Sequence, residues 1–164
     1  MTALGMYNLT SSDGTVAKFG VGDEINVNGA TWQYVKATAA AITLGDALSC
    51  ASGNLAAVES ATTTTVTTPY GTAGGFAALA QFAVAASEYF WCAVGPFYLR
   101  EDGVTPFYAR VENASAFAQL NSTATAGLLD DASTKPLIGL VLLTTLTTAA
   151  AVPVRAFKRL SWVA

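Results

Sequence analysis

Apolar and polar residues alternate with a period of two along much of this chain, and turn signals interrupt the alternation about every ten residues. An amphipathic helix cannot use that pattern, because its buried face recurs every three or four residues. The clearest instance is TVAKFGVGDEINVNGATWQYVKA, Thr15 to Ala37, which reads as strand, Gly-Asp turn, short strand, Asn-Gly turn, strand. Asn28-Gly29 predicts a two-residue hairpin turn, since the primed turns that join twisted strands need positive φ at both central residues. In the strand that follows, Trp32 and Tyr34 fall on one face, with Gln33 and Val35 on the other.

The same grammar continues toward the C-terminus. Gly45-Asp46 and Ser52-Gly53-Asn54 punctuate two short apolar runs and predict another hairpin. Thr62 to Gly75 is β-branched but does not alternate, and reads as a long loop or an edge extension. FAALAQFAVAASE, residues 76 to 88, is rich in helix-favouring Ala. Its alternation through Phe76, Ala78, Ala80, Phe82 and Val84 predicts a strand instead. YFWCAVG is plainly strand, and PFYL and VTPFYARV form a hairpin around Glu101-Asp102-Gly103, with Pro106 marking an edge or bulge. AFAQLNSTATAGLLDDAST gives a short strand and a turn-rich loop, and PLIGLVLLTT a buried strand. AVPVRAFKRLSWV closes the chain, with a shift of phase expected near Phe157. The chain therefore reads as all-β, a small barrel or sandwich with long loops and little helix. Its 164 residues suffice for one β domain over 15–164, preceded by a poorly patterned arm over 1–14.

Composition narrows what such a domain does. Charged residues are 12% of the chain, about half the usual share, while apolar residues reach 52%. Neutral Thr, Ser, Gly and Ala must cover the outside, or a partner must. A surface poor in Lys and Glu loses little entropy and solvation when a partner covers it. The net charge of −3 offers no basic face for nucleic acid, and Arg155, Lys158 and Arg159 form one small cluster, read as solvated or partner-facing. Residues 137–154 have the length of a membrane span, but four Thr and Pro153 divide them, so no membrane segment is expected. No secretory leader is legible in MTALGMYNLT, and the sequons at Asn8, Asn113 and Asn121 matter only in a secretory pathway. Cys50 and Cys92 read as reduced, buried small residues.

The chain has no histidine, which removes Ser-His and Cys-His nucleophilic machinery, histidine-ligated zinc and the commonest general base. Glu101-Asp102 and Asp130-Asp131 are the remaining paired carboxylates, and both sit in turns, where acids bond the local backbone. Ligand-rich calcium spacing is missing. The expectation is a protein that is not an enzyme, with no catalytic residue, cofactor or metal.

EYFWCAVGPFYLREDG, residues 88 to 103, concentrates aromatic side chains. It reads as core, as a sugar-stacking face or as a protein-contact patch. Trp32, Tyr34 and Trp91 are the candidate core aromatics. The same three with Tyr98 would be the contact residues of a carbohydrate- or ligand-binding β-module of the adhesin kind.

Three segments together resemble small phage head decoration proteins. KFGVGDEINVNGATWQYVKATAAAITLGDALSC is similar to their opening, AALAQFAVAASEYFWCAVGPFYL to their central strand pair, and FAQLNSTATAGLLDDASTKPLIGLVLLTT to their C-terminal section. The resemblance spans residues 15 to 145. The continuous Phe90-Trp91-Cys92, the Thr62 to Thr68 tract and the tail after Val152 depart from it. It implies a β-tulip-like barrel or sandwich acting as a capsid cement protein. Such a protein is made in the host cytoplasm and placed on the virion surface, where it bridges major capsid subunits. It leaves room for a homo-oligomer, dimer or trimer. On this reading Met6, Tyr7 and Leu9 of the arm are the expected capsid-contact residues.

Overall fold

The computed structural model describes residues 6–37, 41–50, 56–59, 76–123, 125–132 and 135–162, and the Thr62 to Gly75 stretch lies outside them. The fold is all-β, with no helix among the described residues. The first six strands are β1 (Glu24–Val27), β2 (Ala30–Ala37), β3 (Ala47–Cys50), β4 (Ala56–Glu59), β5 (Phe76–Leu79) and β6 (Tyr89–Ala93). They form one sheet in the order β1-β2-β4-β3-β5-β6, and β6 also pairs with β2, so the pairings of five strands run in a ring. The remainder are β7 (Phe107–Val111), β8 (Asn121–Ser122), β9 (Leu129–Asp130), β10 (Lys135–Leu142) and β11 (Ala150–Trp162). These close a barrel in the order β10-β11-β7-β9-β8.

Local chemistry explains several boundaries. Asn28 and Gly29 have φ of 51° and 80°, as the primed turn requires, and the hairpin pairs Val27 with Ala30 and Glu24 with Gln33. Cα partners in β3 and β4 are antiparallel, as the turn signals predict. One expected strand is absent and another is short. Thr15 to Gly20 makes bends, and only Phe19 of that stretch packs against the core. β5 stops at Leu79 because Gln81 is taken up elsewhere: its amide accepts from the Tyr108 N–H at 2.9 Å and donates to the Tyr108 carbonyl at 3.0 Å. That buried side chain substitutes for a strand neighbour and ties the first sheet to β7.

The β2–β6 pair is buried on both faces. Trp32, Tyr34, Trp91 and Ala93 face a core shared with the second barrel, where Phe107, Val111, Leu137, Val154 and Trp162 meet them. Val35, Ala37, Phe90, Cys92 and Val94 face the other way and enclose a smaller core with Leu48, Cys50 and Ala78. Both cysteines are free and sit in that second core, where burial pushes the Cys50 thiol up.

Part of the N-terminal segment joins this packing. Leu9 is 3% exposed within the larger core, and its carbonyl accepts from Arg100 at 2.6 Å. The Tyr7 ring meets Trp91 edge-on at 5.4 Å. Asp13 N–H donates to the Tyr89 carbonyl at 2.8 Å, and Tyr89 N–H to the Gly14 carbonyl at 2.9 Å. Tyr7, Leu9 and Phe19 of this segment cover the part of the Tyr34 and Trp91 face that the barrel leaves open.

The C-terminal strand carries the other irregularity. Leu140 pairs with Ala156 and Ile138 with Ser161, so one β10 residue, Gly139, opposes four on β11. Through that bulge β11 bonds a different neighbour: Phe97 exchanges hydrogen bonds with Ala156, and Leu160 N–H donates to the Val94 carbonyl. The approach is close enough that a Cβ on Gly95 would stand 2.5 Å from the Lys158 carbonyl oxygen. The expected phase shift is therefore an interruption. Val152, Val154 and Ala156 are buried, residues 157–159 are exposed, and Leu160 and Trp162 resume the same parity.

Two polar features yield tests. The Asp46 carboxylate is fully buried, accepts from Thr43 N–H at 2.7 Å and pairs with Arg110 of β7. Arg110→Ala strands that charge and is expected to cost about 3 kcal/mol. Asp46→Asn costs less, because its amide oxygen still accepts from Thr43, and urea unfolding at neutral pH gives the order. Tyr34 donates to Asp13 at 2.9 Å and accepts from Lys18 N–H at 3.2 Å. Burial first, and the Asp13 carboxylate with it, push its phenol up to about 12. Its contribution is complete below the ordinary value of 10.0 and is lost as pH rises through about 12. Unfolding monitored across that window should show a step that Tyr34→Phe abolishes.

Candidate interaction surface

Phe157 lies on the outward parity of β11, where the bulge begins, and is 67% exposed. Arg155 shares that outward side, two residues before it. Tyr98, from the segment bonded to β11 through Phe97, stands beside them at 53% exposure. Phe117 arrives from the loop after β7 and is 75% exposed. With Val141 and Leu143 these side chains line an open groove of about 400 Å³ whose walls are almost wholly apolar and, among the described residues, include no acid.

Phe117 is held there against its own preference. Ala118 N–H donates to the Ser115 carbonyl, which makes Phe117 the third residue of a turn, with φ of 63°. Gly or Asn suits that position, and a bulky side chain there is strained by roughly 1–3 kcal/mol. Its N–H bonds the Leu142 carbonyl at 3.1 Å, which fixes the turn against β10. The ring itself packs little, and these two hydrogen bonds hold it at the groove mouth despite the strain.

Arg155 supplies the groove's charge. Its guanidinium lies 3.7 Å from the centroid of the Tyr98 ring. It makes no ion pair among the described residues, whereas Lys18, Arg100, Arg110 and Arg159 pair with Asp13, Glu101, Asp46 and Glu24. The cluster read from the sequence is therefore divided, since Arg159 turns back to Glu24 and Gln33 while Arg155 faces the groove.

The residues singled out from sequence fall elsewhere. Trp32, Tyr34 and Trp91 are fully buried, so of the four aromatics considered for sugar stacking Tyr98 alone reaches the surface. Met6 is 67% exposed, Tyr7 half-buried and Leu9 in the core, so the three do not form one contact face. The carboxylate pairs serve their turns. Glu101 holds Arg100, and Asp130 and Asp131 accept from the N–H groups of Ala132 and Ser115. Asp102 caps residues 104 and 105, and the Thr105 hydroxyl first, then those two N–H groups, hold its carboxyl down at about 2. Among the described residues no group of three or more His, Cys, Asp and Glu is placed to hold a metal ion, and no helix is long and apolar enough to cross a membrane. Phe157 was legible in principle as an aromatic on the outward parity of β11. Phe117 carried no such signal, because its loop has no alternation to read.

Phe117→Gly removes the strain and an exposed ring together. It is expected to leave stability unchanged or raise it by about 1 kcal/mol, the flexibility of Gly in the unfolded chain offsetting part of the gain, with urea unfolding as the check. No protein-family model matches this sequence, and no curated protein or solved structure matches it significantly.

Proposed function

We propose that this chain is a structural virion protein, a capsid decoration or cement protein that binds the outside of an expanded phage head and stabilises contacts between major capsid subunits. The observation that carries the reading is the apolar, aromatic groove displayed by a β-scaffold whose central strand pair is buried on both faces. Cementing needs surfaces that hold their shape under load and contacts that gain strength by repetition on a lattice. Phe157 on the outward parity of β11 and Phe117 in a turn bonded to β10 suit the first need. A surface with few charges suits the second, because little is lost on covering it. The sequence resemblance to decoration proteins points the same way. In this role the protein is not an enzyme, uses no cofactor, and has the major capsid protein as partner on the virion surface.

A carbohydrate- or ligand-binding module is the alternative. It rests on Tyr98, since the other candidate aromatics are enclosed.

Co-sedimentation with decoration-free expanded heads, compared with unexpanded procapsids, tests the reading. Saturable binding at a fixed ratio to the major capsid protein, selective for expanded heads, is expected. Phe117→Ser with Phe157→Ser should lower occupancy without lowering stability. Absence of binding to heads would sink the cement reading and favour the ligand module.

A further inference from the structure

An apolar groove is not specific, but this one contains a positioned cation. Arg155 stands at its wall with the guanidinium carbon 3.7 Å from the centroid of the Tyr98 ring, and its N–H donors have no hydrogen-bond or ion-pair partner among the described residues, so they are open to a ligand. Among the described residues no acid lines the groove, and four other basic side chains have carboxylate partners within the protein. Stacking on the ring restricts the side chain before any ligand arrives, so less rotamer entropy is lost when a carboxylate docks. The low polarity of the walls strengthens the resulting pair.

The same charge argues against a second copy seated by two-fold symmetry. An isologous contact would bring Arg155 toward Arg155 with no acid in either groove to separate them. The complement is a partner that brings its own carboxylate beside a large apolar side chain. A volume of about 400 Å³ accommodates a few residues of extended chain.

We propose that the groove takes an extended protein segment, whose Asp or Glu carboxylate pairs with Arg155 while a neighbouring large apolar side chain lies between Phe117 and Phe157. This rests on the cement reading only in naming the segment as part of a major capsid subunit. The pairing is bidentate, two guanidinium N–H groups donating to the two carboxylate oxygens.

The test uses the isotopically labelled full chain and two blocked tripeptide probes, N-acetyl-Leu-Glu-Phe-amide and its Gln counterpart, followed by amide chemical shifts. The Glu probe should perturb Tyr98, Phe117, Arg155 and Phe157 saturably, and the Gln probe should bind roughly tenfold more weakly, the scale of one charge-assisted pair. Arg155→Met should erase the preference for Glu, and Phe157→Ser should weaken both probes. Since both positions are exposed, unchanged urea midpoints separate these effects from unfolding. Equal affinity for the two probes, or no perturbation at the groove up to the probes' solubility limit, overturns the proposal.

A parallel sedimentation with expanded heads keeps the two readings apart. If the wild type binds heads and Arg155→Met binds as well, with no probe binding, the groove proposal fails and the cement reading stands. If the Glu probe binds and heads do not, the groove proposal stands and the cement reading fails.

Discussion

The fold depends on the burial of the β2–β6 pair on both faces. Trp32, Tyr34 and Trp91 contribute large apolar areas on one side, and Val35, Phe90 and Cys92 smaller ones on the other. Neither face can be left in water, since each large side chain removed from solvent contributes roughly 1.5–3 kcal/mol. The ring of pairings through β4, β3 and β5 encloses the smaller set. The larger set needs a second layer, and the barrel of β7 to β11 together with Tyr7, Leu9 and Phe19 provides it. Leu9 of the N-terminal segment is thereby committed to the core, while Phe117 and Phe157 stay exposed around the groove.

Several polar contacts bridge the two layers, and two of them rest on buried side chains. Gln81 supplies a strand-like neighbour to Tyr108, and Asp46 joins Thr43 to Arg110. Buried polar groups are tolerated when their bonding is complete, and removing one partner then costs more than the bond itself contributed. These contacts orient one layer on the other, and with them the direction in which β11 presents Arg155 and Phe157.

The groove is made from features that do not favour stability. A phenylalanine at positive φ is strained, and the exposed Phe157 and the Arg155 stacked on Tyr98 add little to an isolated fold. Their convergence on one groove is the physical reason to assign it an interaction role.

The sequence alone determined the β class, the Asn28-Gly29 hairpin, and the division of β2 and β6 into two apolar faces. Those properties are local: turn geometry follows from two residues, and facing follows from the period of two. It also carried the composition that excludes histidine chemistry and a basic face. Strand ends were less legible, because Gln81 leaves its alternating run for a partner twenty-seven residues away. The covering role of Leu9 was hidden for the same reason, its neighbours being set by pairings far along the chain. The groove was decided by tertiary structure alone. Tyr98, Phe117 and Arg155 come from separate segments, and they meet because the bulge at Gly139 releases β11 to bond Phe97. Alternation records which side a residue faces, but only the closed pairings decide which residues share that side.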